Sequence, residues 1–502
     1  MKIKSMGVTS ARGRSLGRKC IDRRRMRKAR TPRIRQSGWV KMLDEDIGAD
    51  GFDAALLQKY NRPVPRYTSY PTAMEFRTID DASSRAAFLA DSQQGAGPLS
   101  LYIHLPFCAS LCWFCGCTKI ISTDQSIADK YLDYLEVEID RVRPNLGEGR
   151  EVVQLHFGGG SPNFLSPEQI DRLSAMLHDR FDFASDVEMS VEIDPRTLTQ
   201  EKVASFARMG INRASLGIQD LDPEVQKAIH RIQPTEMNRQ AIGWLREAGI
   251  DSLNVDLIYG LPGQTVESFE RTLEEALDYD PDRFAIFSYA HIPWSKFAQK
   301  ILERSQIPEA SVKIQLLRLI VKTLTERGYS HIGMDHFTKY GDSLAAAQRS
   351  GALQRNFQGY SLHANTEICA FGISSISQTE RTYRQNVKEL DEYYRLLDEG
   401  ELPIERGYML TPEDRIRREA IMRLMCDMSL DFAAMSERFG IDFSQRFVRE
   451  LKALEPLEKD GLVKLSEDGL IVTRLGRLLI RNVAFVFDVY SAQKEKTFSK
   501  AV

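Results

Sequence analysis

A chain of 502 residues, 42% hydrophobic and 27% charged, exceeds one ordinary core and carries too much apolar side chain for global disorder. Its seven cysteines are odd in number, with four inside ten residues, which is no disulfide framework, and no run approaches the 18 apolar residues of a membrane span. The formal net charge of −2 conceals an asymmetry: residues 1–41 hold 15 Lys or Arg against Asp22 alone, leaving −16 on residues 42–502. The first forty residues lack the apolar stretch of a secretory signal, so a cytoplasmic, multidomain protein is expected. The basic run around Arg23, Arg24, Arg25, Arg27 and Lys28 has the composition of an anion-binding or transit segment. The plainer reading is a disordered or spurious extension ahead of a start at Met42. The acidic remainder gives no support for nucleic-acid binding.

Along the chain, a helix is predicted around Phe52–Lys59, then an extended arm through Arg66-Tyr-Thr-Ser-Tyr-Pro-Thr72, then a helix over Ala82–Ser92. A strand–helix rhythm follows. Strands are predicted at 99–105, 151–157, 187–193, 212–217, 252–258 and 283–289, with helices at 123–145, 167–180, 199–209, 235–248 and 266–278. Ser166-Pro-Glu-Gln169 has the pattern of a helix start, and Gly210 and Gly249 stand where helices should stop. Six strands with repeated crossovers imply an α/β unit, either a partial barrel or an open doubly wound sheet, and periodicity does not separate the two. A helix is predicted at 311–327. From 383 onward the pattern is mostly helical, at 385–398, 411–426, 429–437 and 441–457, closing on a two-stranded ribbon at 461–465 and 469–473 in the manner of a winged helix.

The densest chemistry is His104-Leu-Pro-Phe-Cys108-Ala-Ser-Leu-Cys112-Trp-Phe-Cys115-Gly-Cys117, directly after the first strand of the α/β unit. Thiolates on so short a loop suit zinc, copper(I) or an iron–sulfur cluster. A structural zinc would need a fourth ligand, with Cys117 or His104 available, whereas three thiolates on a [4Fe–4S] cluster leave one iron open. Loops at the carboxyl ends of parallel strands are where such units bind ligands. Later strand ends add polar groups: His156-Phe-Gly-Gly-Gly-Ser161, then Glu192 with Asp194 and Arg196, then Gln219-Asp220, Arg231 and Asp256. Regular strand geometry would put Glu192 and Asp194 on one side, and the glycine run would offer backbone N–H groups to a carboxylate.

The C-x3-C-x2-C spacing, with Phe114 before the last cysteine, resembles the signature of the radical S-adenosylmethionine superfamily. Within it the chain is similar, from about residue 51 to its end, to the oxygen-independent coproporphyrinogen III oxidases. The similarity is carried by Pro65-Arg-Tyr-Thr-Ser-Tyr-Pro-Thr72, Tyr102-Ile-His-Leu-Pro-Phe107, Cys115-Gly-Cys117, Ile332-Gly-Met-Asp-His336 and Asn356-Phe-Gln-Gly-Tyr360. Ser161 stands where those proteins have Thr, and Leu105 where they have Ile. Residues 1–41 fall outside the resemblance.

That resemblance implies a partial (β/α)6 barrel over residues 99–378, preceded by an arm at 42–98 and followed by a mainly helical, winged-helix-like domain at 379–502. It implies Cys108, Cys112 and Cys115 as ligands of one [4Fe–4S] cluster, with S-adenosylmethionine on the open iron and Phe114 beside its adenine. An electron from the cluster then cleaves the sulfonium to a 5′-deoxyadenosyl radical. Gly159, Gly160 and Ser161 resemble the GGE-like motif that grips the methionine amino group. Two S-adenosylmethionine molecules are implied, the first near Tyr102, Gly159, Glu192, Gln219, Arg231 and Asp256. The second lies near Cys117, Gly160, Ser161, Ala290 and Ile376, and Tyr102 and Cys117 are the implied catalytic residues.

The implied reaction converts two propionates of coproporphyrinogen III to vinyl groups, fed by a reduced flavodoxin- or ferredoxin-like donor. A cytoplasmic monomer is expected, with no nucleic-acid partner and no membrane span. Arg66 is a candidate contact for the anionic substrate. The nearest rival is the related haem chaperone, which lacks the Cys-Gly-Cys arrangement and the full arm. A zinc-supported nucleic-acid-binding protein is the rival from another class.

Overall fold

Strand β1 (Leu99–Leu105) buries six of its seven residues, a pattern that belongs to a parallel strand covered on both faces. Five more follow in the computed structural model: β2 (Val152–Gly159), β3 (Phe183–Ile193), β4 (Arg213–Gln219), β5 (Ser252–Tyr259) and β6 (Arg283–Ser288). Each pairs in parallel with the next. The model describes residues 54–92, 95–364, 366–491 and Phe498. The basic stretch 1–41, the start at Met42 and the arm up to residue 53 lie outside the described residues.

The crossover helices match their sequence signals. Ser166 and Gln169 form a reciprocal capping box at the start of Pro167–His178, and Gly210 ends Gln200–Met209 in the left-handed region. The extended arm and the helix over Ala82–Ser92 are present, and the first helix spans Ala54–Lys59 among the described residues.

The sheet is larger than predicted. Thirteen strands join in the order 77–78, 404–409, 382–386, 376–378, 367–371, β1 to β6, 336–339 and 329–333. Glu367–Phe371 runs parallel to β1 on its free side, making a seventh parallel strand. Its short apolar run carries no period that separates strand from helix. Two further readings are corrected. Residues 382–386 are strand, so the helix there begins only at Leu390, and Ser429–Asp431 is a strand that makes the terminal ribbon three-stranded. The boundary expected between 378 and 379 falls inside the sheet, where Ile376–Gln378 pairs with Tyr383–Gln385.

Alternation along the six strands sorts the side chains. Leu101, Ile103, Leu155, Phe157, Val191, Leu216, Val255 and Leu257 lie on one face, each at most 1% exposed, beneath the helices. The other face is polar and in register: Tyr102 opposite His156, His156 opposite Ser190, Glu192 opposite Ser215, and Ser215 opposite Asn254. At the sheet's edge, buried Glu138 accepts hydrogen bonds from the Gly372 N–H (2.8 Å), Asn386 (2.6 Å) and Tyr393 (2.7 Å), tying a crossover helix to the strands beyond β1. The arm is pinned to the C-terminal segment, with Tyr67 donating to Asp488 (3.0 Å) and Arg481 donating to the carbonyls of Val64 and Pro65.

Candidate active site

The loop carrying the cysteines is framed by a small parallel pair, Phe107–Cys108 with Ile120–Ile121. From the end of β1 it crosses to the far strands. The Trp113 N–H bonds the Ile229 carbonyl, Trp113 stacks on His230 (5.0 Å), and Phe114 packs in a cluster with Ile258 and Tyr289. Gln299 donates to the Phe114 carbonyl (2.8 Å). On a flat sheet β1 and β6 would be about 24 Å apart. One short loop touches Ile229 and His230 beyond β4, Ile258 in β5 and Tyr289 after β6, because the sheet curves into a partial barrel, with the loop lying over its mouth.

Three thiols of that loop are neighbours. Cys112 is buried and accepts from Arg196 (3.3 Å) and Arg231 (3.4 Å). Cys108 accepts from the Ser161 hydroxyl (3.6 Å), and burial, aided by the nearby Cys115 and Cys112, pushes its thiol up to about 11. The Cys117 N–H faces the Cys115 sulfur (3.5 Å), and the Cys117 thiol, donating to Cys115, holds that neighbour well below the ordinary thiol range. None of the four is in a disulfide.

Among the described residues no three His, Cys, Asp or Glu side chains are grouped to hold a single metal ion. His104 is turned away from such a role: its ring nitrogens face the Tyr102 hydroxyl (3.1 Å) and the Thr118 carbonyl (3.1 Å). Three thiols on one short loop, with the guanidinium groups of Arg196 and Arg231 beside the Cys112 sulfur, are a donor set that fits an iron–sulfur cluster.

The glycine run works differently from its sequence reading. The N–H of Gly159 donates to Glu192 (3.2 Å), that of Gly160 to the Leu105 carbonyl (2.8 Å), and that of Ser161 to the Phe107 carbonyl (2.8 Å). These donors are spent inside the protein. Glycine is needed here for close packing: a Cβ on Gly160 would meet the Phe107 carbonyl oxygen at 2.6 Å, and Gly159 (φ +110°) lies against the His104 ring.

Inside the mouth the polar ladder is continuous. Tyr102 stacks on His156 (5.8 Å), His156 bonds Ser190 (2.6 Å), and its other nitrogen is 3.4 Å from Glu192. Burial raises the Glu192 carboxyl, but His156 and the Gly159 N–H outweigh it and leave the group below its ordinary value. β3 ends at Ile193, and Asp194 caps the turn Pro195–Thr197 instead of continuing the strand. There it pairs with Arg196 (2.7 Å) and Arg231 (3.3 Å). Arg231 also reaches the Gly217 carbonyl (2.5 Å), and Gln219, with φ +71°, brings its amide over the same glycine.

Asp256 accepts from Ser215 (2.9 Å) and Asn254 (2.7 Å). Burial, with Glu192 adding to it, pushes its carboxyl up to about 7. The folded state then binds this proton more tightly than the unfolded chain, so stability falls as pH rises from about 4 to about 7 and levels off above. Asp256→Asn should flatten that fall in the ligand-free protein by on the order of 2–4 kcal/mol, most steeply between about pH 5 and 6. Thermal unfolding of both proteins from pH 4.5 to 8 measures it, and parallel curves would contradict it.

Ala290 follows β6 and lines a cavity against the arm, whereas Ile376 lies on the opposite flank of the sheet with six strands between. Sequence reasoning passed over His156, Ser190, Ser215 and Asn254 as site residues. Their signal was a polar residue at every second position of strands otherwise apolar.

A three-thiol loop over the mouth of a partial parallel barrel defines the radical S-adenosylmethionine class, and the Radical SAM superfamily model matches residues 102–276. The HemN C-terminal domain model matches residues 410–479. The chain is 45% identical to the oxygen-independent coproporphyrinogen III oxidases of Salmonella typhimurium and Escherichia coli, covering 90% of this chain and 98% of each relative. The solved E. coli coproporphyrinogen III oxidase, a radical SAM enzyme, superposes with a TM-score of 0.83 at 44% identity, covering 88% of this chain and 99% of that one. The chain belongs to the oxygen-independent coproporphyrinogen III oxidase family. Membership implies a [4Fe–4S] cluster and S-adenosylmethionine.

Proposed function

We propose that the chain decarboxylates two propionate side chains of coproporphyrinogen III oxidatively, giving protoporphyrinogen IX without oxygen. The observation that carries this reading is the loop of Cys108, Cys112 and Cys115 lying across the polar mouth of the barrel. Each conversion turns –CH2–CH2–CO2⁻ into –CH=CH2 and carbon dioxide, with one hydrogen atom to be taken up by the deoxyadenosyl group of S-adenosylmethionine and one electron by a one-electron acceptor. When bound, the cluster and S-adenosylmethionine supply the radical chemistry that removes the hydrogen from the propionate β-carbon.

The protein's own residues orient and insulate. Arg196 and Arg231 each donate a hydrogen bond to the Cys112 sulfur and so orient it. Glu192 and Asp256 offer carboxyl oxygens to the hydroxyl and amino groups of a first S-adenosylmethionine, with Tyr102, Gly159, Gln219 and Arg231 around it. A second molecule is assigned to Cys117, Gly160, Ser161, Ala290 and Ile376. Tyr102 and Cys117 are the side chains assigned to the reacting groups.

A flavodoxin- or ferredoxin-like protein is the proposed reductant, and a monomer the working form. The cysteines among the described residues are unpaired, which suits a reducing compartment such as the cytoplasm. No helix among the described residues is long and apolar enough to cross a membrane. We place the start of the C-terminal module near residue 410, after the last strand of the large sheet, because a boundary at 379 would cut paired strands.

Anaerobic incubation with coproporphyrinogen III, S-adenosylmethionine and a reductant tests the proposal by chromatography of the products. Protoporphyrinogen IX is expected. Retention of haem with no porphyrinogen conversion would favour the chaperone instead.

A further inference from the structure

After β6 the chain passes Ile292 and enters an eight-residue 3₁₀ helix, Phe297–Arg304. Side chains three apart in such a helix lie on one line. One line turns inward. Gln299, 2% exposed, donates to the Phe114 carbonyl (2.8 Å) and accepts from the Ile292 N–H (2.7 Å). Leu302, fully buried, packs in the cluster that holds Trp113 and Phe114. These contacts seat the helix on the cysteine loop. The next line turns outward. Phe297 is 80% exposed, the most exposed large apolar side chain among the described residues, and Lys300 lies over its ring (4.8 Å). Ile301 adds a second apolar side chain, 48% exposed. An aromatic ring held in water on a helix whose other line is buried has the character of a contact surface.

The face is cationic where it meets the loop. Lys296, just ahead of the helix, brings its stem to 3.9 Å from where a Cβ on Gly116 would stand. The Lys119 ammonium bonds the carbonyls of Cys115 (3.4 Å) and Cys117 (3.5 Å). With Lys300 this makes three ammonium groups, none ion-paired among the described residues, and the exposed Glu303 is the carboxylate on the line of Phe297. Residues 42–502 carry −16 in all, so a positive face beside the proposed cluster ligands is unlike the rest of the body. A positive rim around an exposed ring fits an acidic partner and repels a basic one, which sets aside the stretch 1–41 with its 15 Lys or Arg as the occupant.

We propose that Lys296, Phe297 and Lys300, with Lys119, form the docking face for the protein that reduces this enzyme, a small acidic carrier of single electrons. The inference rests on the functional reading above, in which a flavodoxin- or ferredoxin-like protein is the reductant. On docking, the carrier loses one electron and the cluster held by the loop gains it, with no bond made or broken. Two of the lysines meet the loop at Gly116, Cys115 and Cys117, so a partner seated on them lies against the segment that carries the thiols. Electron-transfer encounters bury little surface, which one ring and a rim of lysines suit.

The test uses anaerobically reconstituted holoenzyme, with flavodoxin and ferredoxin as the acidic carriers and dithionite as the small-molecule reductant. Lys296→Glu combined with Lys300→Glu should weaken carrier binding, read by titration calorimetry, and raise the KM for the reduced carrier about tenfold or more. That effect should shrink as salt is raised, whereas the loss caused by Phe297→Ser should persist. Cluster content and turnover with dithionite should match the wild type in every variant. Carbodiimide coupling followed by mass spectrometry should join Lys296 or Lys300 to a carboxylate of the carrier. Unchanged carrier binding in the charge-reversed variant would overturn this inference alone, as would a wild type that turns over with dithionite yet binds neither carrier. Coupling of those lysines to the acidic stretch 42–53 or to a second copy of the chain, in place of the carrier, would also overturn it. So would an equal loss of turnover with dithionite, since the face would then serve substrate or cofactor. A wild type that converts no coproporphyrinogen III with any reductant would overturn the functional reading and this inference with it.

Discussion

Replacing Cys108, Cys112 or Cys115 with Ala is expected to bring turnover below detection and iron and sulfide well below a full cluster. Each change removes one of the three thiolates proposed to hold the cluster. His104 is committed to Tyr102 and Thr118, and Cys117 is two residues away on the same tight turn. Cys112→Ala should cost the most stability, because Arg196 and Arg231 both face that sulfur and would lose an acceptor, at about 1–3 kcal/mol. Iron and sulfide analysis, the low-temperature magnetic resonance of the reduced protein and thermal unfolding measure these effects together. A full complement of iron with normal spectra in all three variants would defeat the ligand assignment.

Cys117→Ser should separate cluster from chemistry. The backbone N–H that faces the Cys115 sulfur is kept in this variant, and Gly116 lets the side chain at 117 turn independently of its neighbour. Cluster content and the spectral change on adding S-adenosylmethionine should therefore match the wild type. Conversion of coproporphyrinogen III should fall by on the order of 10²-fold, the scale of losing a positioned proton-transfer group, because a hydroxyl is a far weaker acid than a thiol. Loss of the cluster would make Cys117 a ligand or a support for one. Undiminished conversion would remove it from the chemistry.

Much of the architecture is legible in the sequence where local chemistry is strong. The Ser166–Gln169 box, the stop at Gly210 and the parallel strands from Leu99 to Ser288 all follow from patterns within a few residues. The seventh parallel strand, Glu367–Phe371, does not, because its place beside β1 is set by a pairing across more than 260 residues. Site residues divide in the same way. Cysteine spacing is local, and it marked Cys108, Cys112 and Cys115. The ladder from Tyr102 through His156 and Glu192 to Asp256 is carried by alternation in five strands, but which face turns inward is decided by the helices covering the other. Asp194 illustrates the limit of strand periodicity: one residue beyond the strand's end, it became a cap and an arginine partner. The glycines after His156 were recognisable, yet their reason is packing against β1 and His104, which no spacing reveals.

On the function proposed, hydrogen removal from a propionate β-carbon at this site initiates decarboxylation. Coproporphyrinogen III deuterated at those carbons tests it in one anaerobic reaction, with mass spectrometry of the 5′-deoxyadenosine and of the porphyrin product. Deuterium appearing in 5′-deoxyadenosine in step with vinyl formation is the predicted result. Vinyl product accumulating while the 5′-deoxyadenosine carries no deuterium would contradict the account.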